Sequence, residues 1–238
     1  MDQLLVALDV DTAAEARALA DRLRGVAGGF KIGSRLFTSH GPSIVEDLAS
    51  RGDRVFLDLK FHDIPNTVAG AVAAATRLGA WMVDVHASGG AAMMKAAREA
   101  ADAEAARMSR PAPLVIAVTM LTSLSDAMMG DIGFVGRVGD QVERLARLAQ
   151  EAGLDGVVAS PQELTPIRQS CGSAFAIVTP GIRGAGDALG DQSRTMSAVQ
   201  ALAAGSTYLV VGRPIIAAAD PRAAAERIAG ECRATKAL

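Results

Sequence analysis

Acidic and basic side chains alternate around one short segment of the chain. Asp58 and Lys60 are separated by a single leucine, and Asp63 follows three residues later. Side chains along a strand point to the same side every two residues, so Asp58 and Lys60 could form an ion pair. An isolated pair of this kind is more often a structural salt bridge. However, Asp9 and Lys31, from the two preceding candidate strands, add another acid and base. We therefore predict a small site of alternating charge, with no His or Cys ligand set nearby.

A second group of residues, late in the chain, has the composition of a phosphate-binding site. Arg183 and Arg213 each offer a fork-shaped charged donor that suits an anion. Backbone N–H groups in small-residue loops, and a following helix N-terminus, can supply further donors. Glycines are also ordinary turn residues, so they are weak evidence by themselves. The glycines concerned are Gly181, Gly184, Gly186, Gly190 and Gly212.

Both groups lie at the ends of predicted strands. Short runs rich in Val, Ile and Leu alternate with longer Ala-rich stretches at helical spacing, a pattern typical of repeated βα units. The candidate strands are 4–8, 29–32, 55–59, 81–85, 114–118, 156–159, 175–178 and 208–211. The candidate helices are 12–24, 34–50, 65–78, 90–107, 141–152, 161–170, 194–204 and 220–233.

Eight such units in 238 residues predict an α/β protein with a single (β/α)8 barrel domain, a TIM barrel, over residues 1–238. The rival is a doubly wound open sheet, but the turn after the first strand, 8–11, lacks the GxGxxG pattern of a dinucleotide fold. In a barrel, catalytic groups come from the C-terminal ends of the strands, where the polar residues cluster. The two longest non-periodic stretches, 122–140 and 180–192, are candidates for functional loops.

The amino-acid composition indicates which kinds of binding partner and which cellular compartment to expect. Half of the residues are hydrophobic and 21% are charged, with 24 Lys and Arg against 26 Asp and Glu, so a nucleic-acid-binding surface is not expected. No apolar run approaches 18 residues, and the first residues lack the pattern of a signal peptide, so we expect no membrane span and a cytoplasmic location. The two cysteines, Cys171 and Cys232, fit a reduced compartment.

The segment around Asp58 and Lys60 resembles a known family signature. Residues 58–67, DLKFHDIPNT, are similar to the D-x-K-x-x-D-I-P-N-T motif of the orotidine 5'-phosphate decarboxylases, in their bacterial form. Further landmarks of that family follow in the same order, at residues 8–9, 30–33, 85–90, 121–123, 179–183 and 211–215. The resemblance implies a dimeric (β/α)8 barrel that converts orotidine 5'-phosphate to UMP and CO2, the last step of UMP biosynthesis, without a metal or organic cofactor.

Carried over by position, the resemblance assigns roles to the charged residues. Lys60 would donate a proton to C6 of the pyrimidine, and Asp58 would lie against the substrate carboxylate. Lys31 would link the charges and the ribose. Asp63 would be catalytic as well, but it and Thr67 would reach into the site of the neighbouring subunit.

The remaining implied residues bind substrate. Asp9 would contact a ribose hydroxyl, and Thr122 the pyrimidine edge, although Ser123 and Ser125 have similar chemistry. Ile64 and Pro180 would also be part of the substrate site. The phosphate region would comprise Arg183, Gln192, Gly212 and Arg213.

Two other functions are weighed against this one. A metal-dependent sugar-phosphate decarboxylase or aldolase-like barrel can share the D-x-K-x-x-D strand, but it is expected to carry a Glu metal ligand at the end of strand two. The ammonium of Lys31 would repel that ion. A non-catalytic sensor of a phosphate ligand would keep Arg213 and the glycines, yet it would have no use for Lys60 between carboxylates.

Overall fold

Eight parallel strands close into a barrel in sequence order. The computed structural model describes residues 1–183 and 195–235. Each strand pairs with the next, and β8 pairs with β1. The strands are β1 (Leu4–Ala7), β2 (Gly29–Gly33), β3 (Val55–Phe61), β4 (Met82–His86), β5 (Leu114–Val118), β6 (Gly156–Val158), β7 (Ala176–Thr179) and β8 (Tyr208–Val211). The predicted (β/α)8 barrel is confirmed.

Helices connect successive strands around the outside. They are α1 (Ala13–Leu23), α2 (Ser34–His40), α3 (Ser43–Ser50), α4 (Pro65–Arg77), α5 (Ala91–Arg107), α6 (Val138–Glu151), α7 (Leu164–Cys171), α8 (Ala198–Ala203), α9 (Arg213–Ile216) and α10 (Pro221–Thr235). The sequence predicts the start of α1 well, because Thr12 and Glu15 form a reciprocal capping box. No helix in the described parts of the chain is long and apolar enough to cross a membrane.

The helix predicted over 34–50 is wrong in one respect. The structure divides it into α2 and α3 at Gly41 and Pro42. Gly41 has a φ of +69°, the left-handed conformation that ends helices, and the residue before a proline avoids the helical region. The local Gly-Pro signal therefore outweighs the apolar periodicity on either side of it.

Other boundaries also differ from the prediction. Strand β3 continues two residues beyond Leu59, and α6 begins three residues before Gln141. The first turn of the helix predicted from 161 is a 3-10 helix, Pro161–Glu163, and α9 is an additional short helix. In the predicted loop 122–140 there are two 3-10 turns, Asp126–Met128 and Gly130–Ile132. The predicted loop 180–192 lies largely outside the described residues.

Two layers of apolar side chains hold the barrel. The larger cluster packs the outer face of the strands against the helices, as in Leu4 and Val6 of β1. A smaller cluster fills the barrel interior, and it comprises Leu5, Ala7, Phe56, Met82, Ile116, Val178 and Val210. The alternation within β1 is the period-two pattern of a strand buried on both faces. The closely packed interior lies directly below the charged residues at the C-terminal ends of the strands and restricts their movement.

Candidate active site

A cavity of about 610 Å³ opens at the C-terminal ends of the strands. Ala7, Phe56, Val178 and Val210 of the interior cluster line it from below. Predicted site residues line it as well, namely Asp9, Lys31, Asp58, Lys60, Thr122, Pro180, Arg183, Gly212 and Arg213. Residues that are distant in sequence thus meet in one pocket, because parallel strands end at the same face of a barrel.

Four charged side chains form a chain of ion pairs across the cavity. Lys31 Nζ lies 3.1 Å from Asp9 Oδ1 and 3.2 Å from Asp58 Oδ2. Lys60 Nζ contacts the other oxygen of the Asp58 carboxylate, Oδ1. The predicted pair between Asp58 and Lys60 therefore exists, and Asp58 is shared between two ammonium groups. Acid and base alternate along the array.

Burial and charge act in opposite directions on Lys31. Its side chain is only 11% exposed, and desolvation alone would lower the pKa of its ammonium. The carboxylates of Asp58 and Asp9 outweigh that effect, so the pKa of Lys31 is raised above its usual value. Lys31 is thus a permanent cation. It cannot act as a general base near neutral pH, and it suits an electrostatic role.

The Asp58 carboxyl group is held in its ionised form. Burial would raise its pKa, but Lys31, a hydrogen bond that protonated Asp84 can donate, and Lys60 together lower the pKa of Asp58 to about 2. The side chain is 12% exposed, so this is a desolvated carboxylate with fixed partners. A negative charge at this position persists throughout the physiological pH range.

Gly33, the last residue of β2, leaves room for the array. A Cβ atom at this position would lie 3.0 Å from Lys31 Nζ and 3.4 Å from Asp9 Oδ1. The first distance is tighter than an ordinary van der Waals contact, so a side chain here would push the ammonium away from its carboxylate. Glycine at position 33 thus lets the Lys31 ammonium keep its place without a shift.

The cavity is also lined by two arginines and by the backbone after β7 and β8, the region in which the sequence predicts a phosphate-binding site. Arg213 begins α9, directly after Gly212, and Arg183 and Pro180 come from the segment after β7. A guanidinium hydrogen of Arg183 is donated to the carbonyl of Ile182, 2.7 Å away. Gln192, the other predicted member of this region, lies outside the described residues.

The segment after β3 does not line the cavity of its own chain. Asp63, Ile64 and Thr67 are exposed, and Ile64 is 67% exposed. The Asp63 carboxylate accepts the backbone N–H of Ile64 at 2.6 Å. The structure therefore brings Asp9, Lys31, Asp58 and Lys60 together and leaves Asp63 apart from them.

Sequence reasoning missed two polar residues near the site. Arg35 lines the cavity at the start of α2 and pairs with Asp11. Asp84 lies in the middle of β4 and accepts the backbone N–H of Lys60 at 2.8 Å. The sequence does contain a signal for Asp84, since it is a carboxylate between two valines in a strand that is otherwise apolar up to His86. A buried acid in such a position needs a partner.

Comparison with known proteins identifies the family. The family described as "Orotidine 5'-phosphate decarboxylase / HUMPS family" matches residues 2–228, nearly the whole chain. The chain belongs to this family. The resemblance noted for residues 58–67 is thereby confirmed.

Individual relatives agree with this assignment. The chain is 55% identical over 236 residues to the orotidine 5'-phosphate decarboxylase of Moorella thermoacetica, covering 99% of this chain and 94% of the relative. It is 53% identical over 232 residues to that of Alkalilimnicola ehrlichii, covering 98% and 97%. Among solved structures, the orotidine 5'-phosphate decarboxylase of Lactobacillus acidophilus superimposes with a TM-score of 0.85 at 36% identity, covering 96% of this chain and 98% of that one.

Proposed function

We propose that the charged cavity decarboxylates orotidine 5'-phosphate to UMP and CO2, the last step of UMP biosynthesis, with no metal or organic cofactor. The observation that carries the proposal is the array in which Asp58 is shared between Lys31 and Lys60. The family match and the relatives with 53% to 55% identity confirm the decarboxylase activity predicted from the sequence, with a nucleotide as its substrate.

The chemistry requires electrostatic stabilisation of a carbanion. Loss of CO2 from C6 of the pyrimidine leaves an electron pair on an sp² carbon with no adjacent electron sink. A fixed ammonium is worth most in a desolvated site, where its field is not screened by water. Lys60 faces the cavity and is held by Asp58, so it can stabilise the developing charge and then deliver its proton to C6.

Asp58 raises the free energy of the bound substrate before the reaction. It remains ionised, and the substrate carboxylate would be bound against it in a confined pocket. Repulsion between the two carboxylates is relieved as CO2 leaves, which lowers the barrier from the bound state. Lys31 holds the Asp58 carboxylate in position through their ion pair. Lys31 also pairs with Asp9, the residue that we assign to a ribose hydroxyl, so the array extends from the pyrimidine to the ribose.

Phosphate binding holds the substrate from the other side. Arg213, Arg183, Gly212 and Gln192 are the residues that we assign to this region, and Pro180 is part of the substrate site beside it. The phosphate is remote from the bond that breaks, so its binding energy can be used to fix the charged array against the pyrimidine. Thr122 lines the cavity, whereas Ser123 and Ser125 are not among the lining residues, so we assign the pyrimidine edge to Thr122.

Turnover of orotidine 5'-phosphate in excess EDTA tests the reaction and its main rival together. The loss of the pyrimidine carboxylate is followed by absorbance, with and without the chelator. We expect the same rate in both. Loss of activity on chelation, restored by magnesium, would support the metal-dependent sugar-phosphate enzyme instead. Tight UMP binding by a protein without turnover would support the sensor.

We further propose that the chain, a single domain over residues 1–238, works as a homodimer in the cytoplasm. Asp63, Ile64 and Thr67 would be contributed to the site of the partner subunit. Two observations support this arrangement: Asp63 does not line the cavity of its own chain, and Ile64 exposes an apolar surface beside it. In a two-fold dimer each site would combine Lys60 of one chain with Asp63 of the other.

A complementation experiment tests the shared site. Inactive Lys60→Ala and Asp63→Ala proteins are dissociated, mixed equally and allowed to reassociate. Random pairing makes about half of the dimers mixed, and each of these has one intact site, so about a quarter of the parent activity should return. If Asp63 serves its own subunit, every site retains one lesion and no activity returns.

A further inference from the structure

The ladder between β3 and β4 is interrupted beside the charged array. Leu57 pairs with Val83, but the next pair is Phe61 with Val85, so three residues of β3 lie opposite Asp84 alone. Within this interruption, Lys60 has a φ of +52°, in the left-handed region that residues other than glycine rarely adopt. A backbone in such a conformation persists only where its surroundings hold it.

The side chain of Asp84 bonds to the β3 backbone where the ladder between β3 and β4 is interrupted. Its Oδ1 accepts the backbone N–H of Lys60 at 2.8 Å, in place of a carbonyl oxygen of the ladder. Asp84 is completely buried. An unpaired N–H in this interior position would be costly, so the carboxyl group compensates for the break in the ladder.

We propose that Asp84 is a positioning residue, whose carboxyl group fixes the left-handed backbone of Lys60 and thereby aims the Lys60 ammonium at Asp58 and the cavity. This inference rests on the proposed function, in which Lys60 is the proton donor. Asp84 is absent from the residues that line the cavity, so it acts through Lys60 and does not touch the substrate.

Asp84 performs this role as a neutral acid. Within the described residues, Asp84 Oδ2 is the single buried side-chain nitrogen or oxygen without a hydrogen-bond partner. Burial and the neighbouring Asp58 carboxylate raise the pKa of Asp84 well above its usual value. Once it is protonated, the acid can donate a hydrogen bond to Asp58, so both of its oxygens are satisfied. The array then contains no third negative charge.

The proposal separates two variants of the same residue. Asp84→Asn keeps an acceptor for the Lys60 N–H and a donor towards Asp58, whereas Asp84→Ala keeps neither. We expect Asp84→Ala to lower kcat about 100-fold, because a small displacement of a reacting group has an effect of that size. KM and the affinity for UMP should stay within about threefold of the parent. Asp84→Asn should restore most of the lost kcat.

Asp155 provides a matched control at the opposite end of the barrel. Its Oδ2 also accepts a backbone N–H of the neighbouring strand, that of Val115, at 2.7 Å, and it pairs with Arg98 at 2.6 Å. Asp155→Ala therefore removes the same kind of contact from a place without substrate. It should lower the melting temperature and leave kcat at the parent value.

The outcomes are distinct. Should Asp84→Ala retain the parent kcat, or Asp84→Asn be as impaired as Asp84→Ala, the inference is wrong. If Asp84→Ala fails to fold, Asp84→Ser replaces it, because its hydroxyl is too short to reach both partners and the same kcat loss is expected. A parent protein that does not turn over orotidine 5'-phosphate would overturn the proposed function, and this role of Asp84 with it.

Discussion

At the N-terminal end of the barrel, Arg168 donates hydrogen bonds to the carbonyls of Gly205 and Gly172 and to the hydroxyl of Thr207, at 2.8 to 2.9 Å. These contacts join α7 to the segments that enter β7 and β8. At the C-terminal end, Lys60 contacts Asp58, two residues away on its own strand, and faces a cavity. The Arg168 side chain therefore links separate elements of the fold, whereas the Lys60 side chain pairs within its own strand.

The difference separates structural charges from functional ones. A cation whose hydrogen bonds join its own helix to the segments that enter other strands contributes to the stability of the fold. A cation held by its own strand and directed into a pocket contributes little to stability, and it remains available to a ligand. Substitutions at the two ends should therefore affect different properties of the protein.

The largest effect is expected from Lys60→Ala. Turnover should fall to the background rate, because the proton donor and the stabilising charge are both removed. The affinity for UMP should change little. Stability should fall by no more than about 1 kcal/mol, because the pair with Asp58 is partly exposed. Lys95→Ala, which removes an exposed lysine of α5, is the control. Persisting turnover without Lys60 would refute its assignment as the proton donor.

Arg213→Ala should have the next largest effect. Removing a charged partner from a desolvated phosphate dianion should raise the barrier in kcat/KM by about 2 to 5 kcal/mol. A substrate analogue without the phosphate should react slowly with the parent and hardly respond to the substitution. Steady-state kinetics with both substrates measure this. Equal sensitivity of the two substrates would indicate that Arg213 acts structurally.

At the other end of the barrel, Arg168→Ala should alter stability and leave kcat unchanged. Hydrogen bonds from a charged donor to backbone carbonyls are lost, which should lower the free energy of unfolding by about 2 to 3 kcal/mol. Urea unfolding of the variant measures the loss, with Arg147→Ala, which removes an exposed partner of Glu143, as the control. A large fall in kcat with unchanged stability would contradict the division between the two ends.

The smallest effect, per pH unit, concerns the protonation of Asp84, the neutral acid at the functional end. The pKa of Asp84 is raised in the folded protein by burial and by Asp58, with Lys60 as the other charged neighbour, so the folded state binds a proton that the unfolded state releases. Stability from this group is therefore lost as the pH rises from the ordinary Asp pKa, about 3.9, towards the raised value. Asp84→Asn lacks this dependence.

Between the two pKa values, the stability of Asp84→Asn relative to the parent should rise with pH, by at most about 1.4 kcal/mol per pH unit. Urea unfolding of both proteins at a series of pH values from about pH 4 upward measures the difference, in which the other titrating groups cancel. A difference that does not vary with pH would mean that Asp84 is ionised in the folded protein.

The residues of the array could be chosen from the sequence because local rules apply to them. Asp58 and Lys60 follow strand periodicity, Asp9 follows β1 and Lys31 lies within β2, so a closed barrel brings all four to one face. The division of 34–50 at Gly41 and Pro42 also had a local signal, although the periodicity obscured it. The position of Asp63 is different, since the reach of the segment after β3 permits either its own site or that of a partner.

The sequence by itself determined the repeated βα pattern, the strand ends that carry charge, and the DLKFHDIPNT segment that carries the family resemblance. Only the tertiary structure decided how β3 and β4 align. Their register shift places Lys60 in a left-handed conformation and makes the buried carboxyl of Asp84 its backbone partner. Pairing between strands separated by a helix depends on how the whole barrel closes, and the local pattern of either strand does not contain that information.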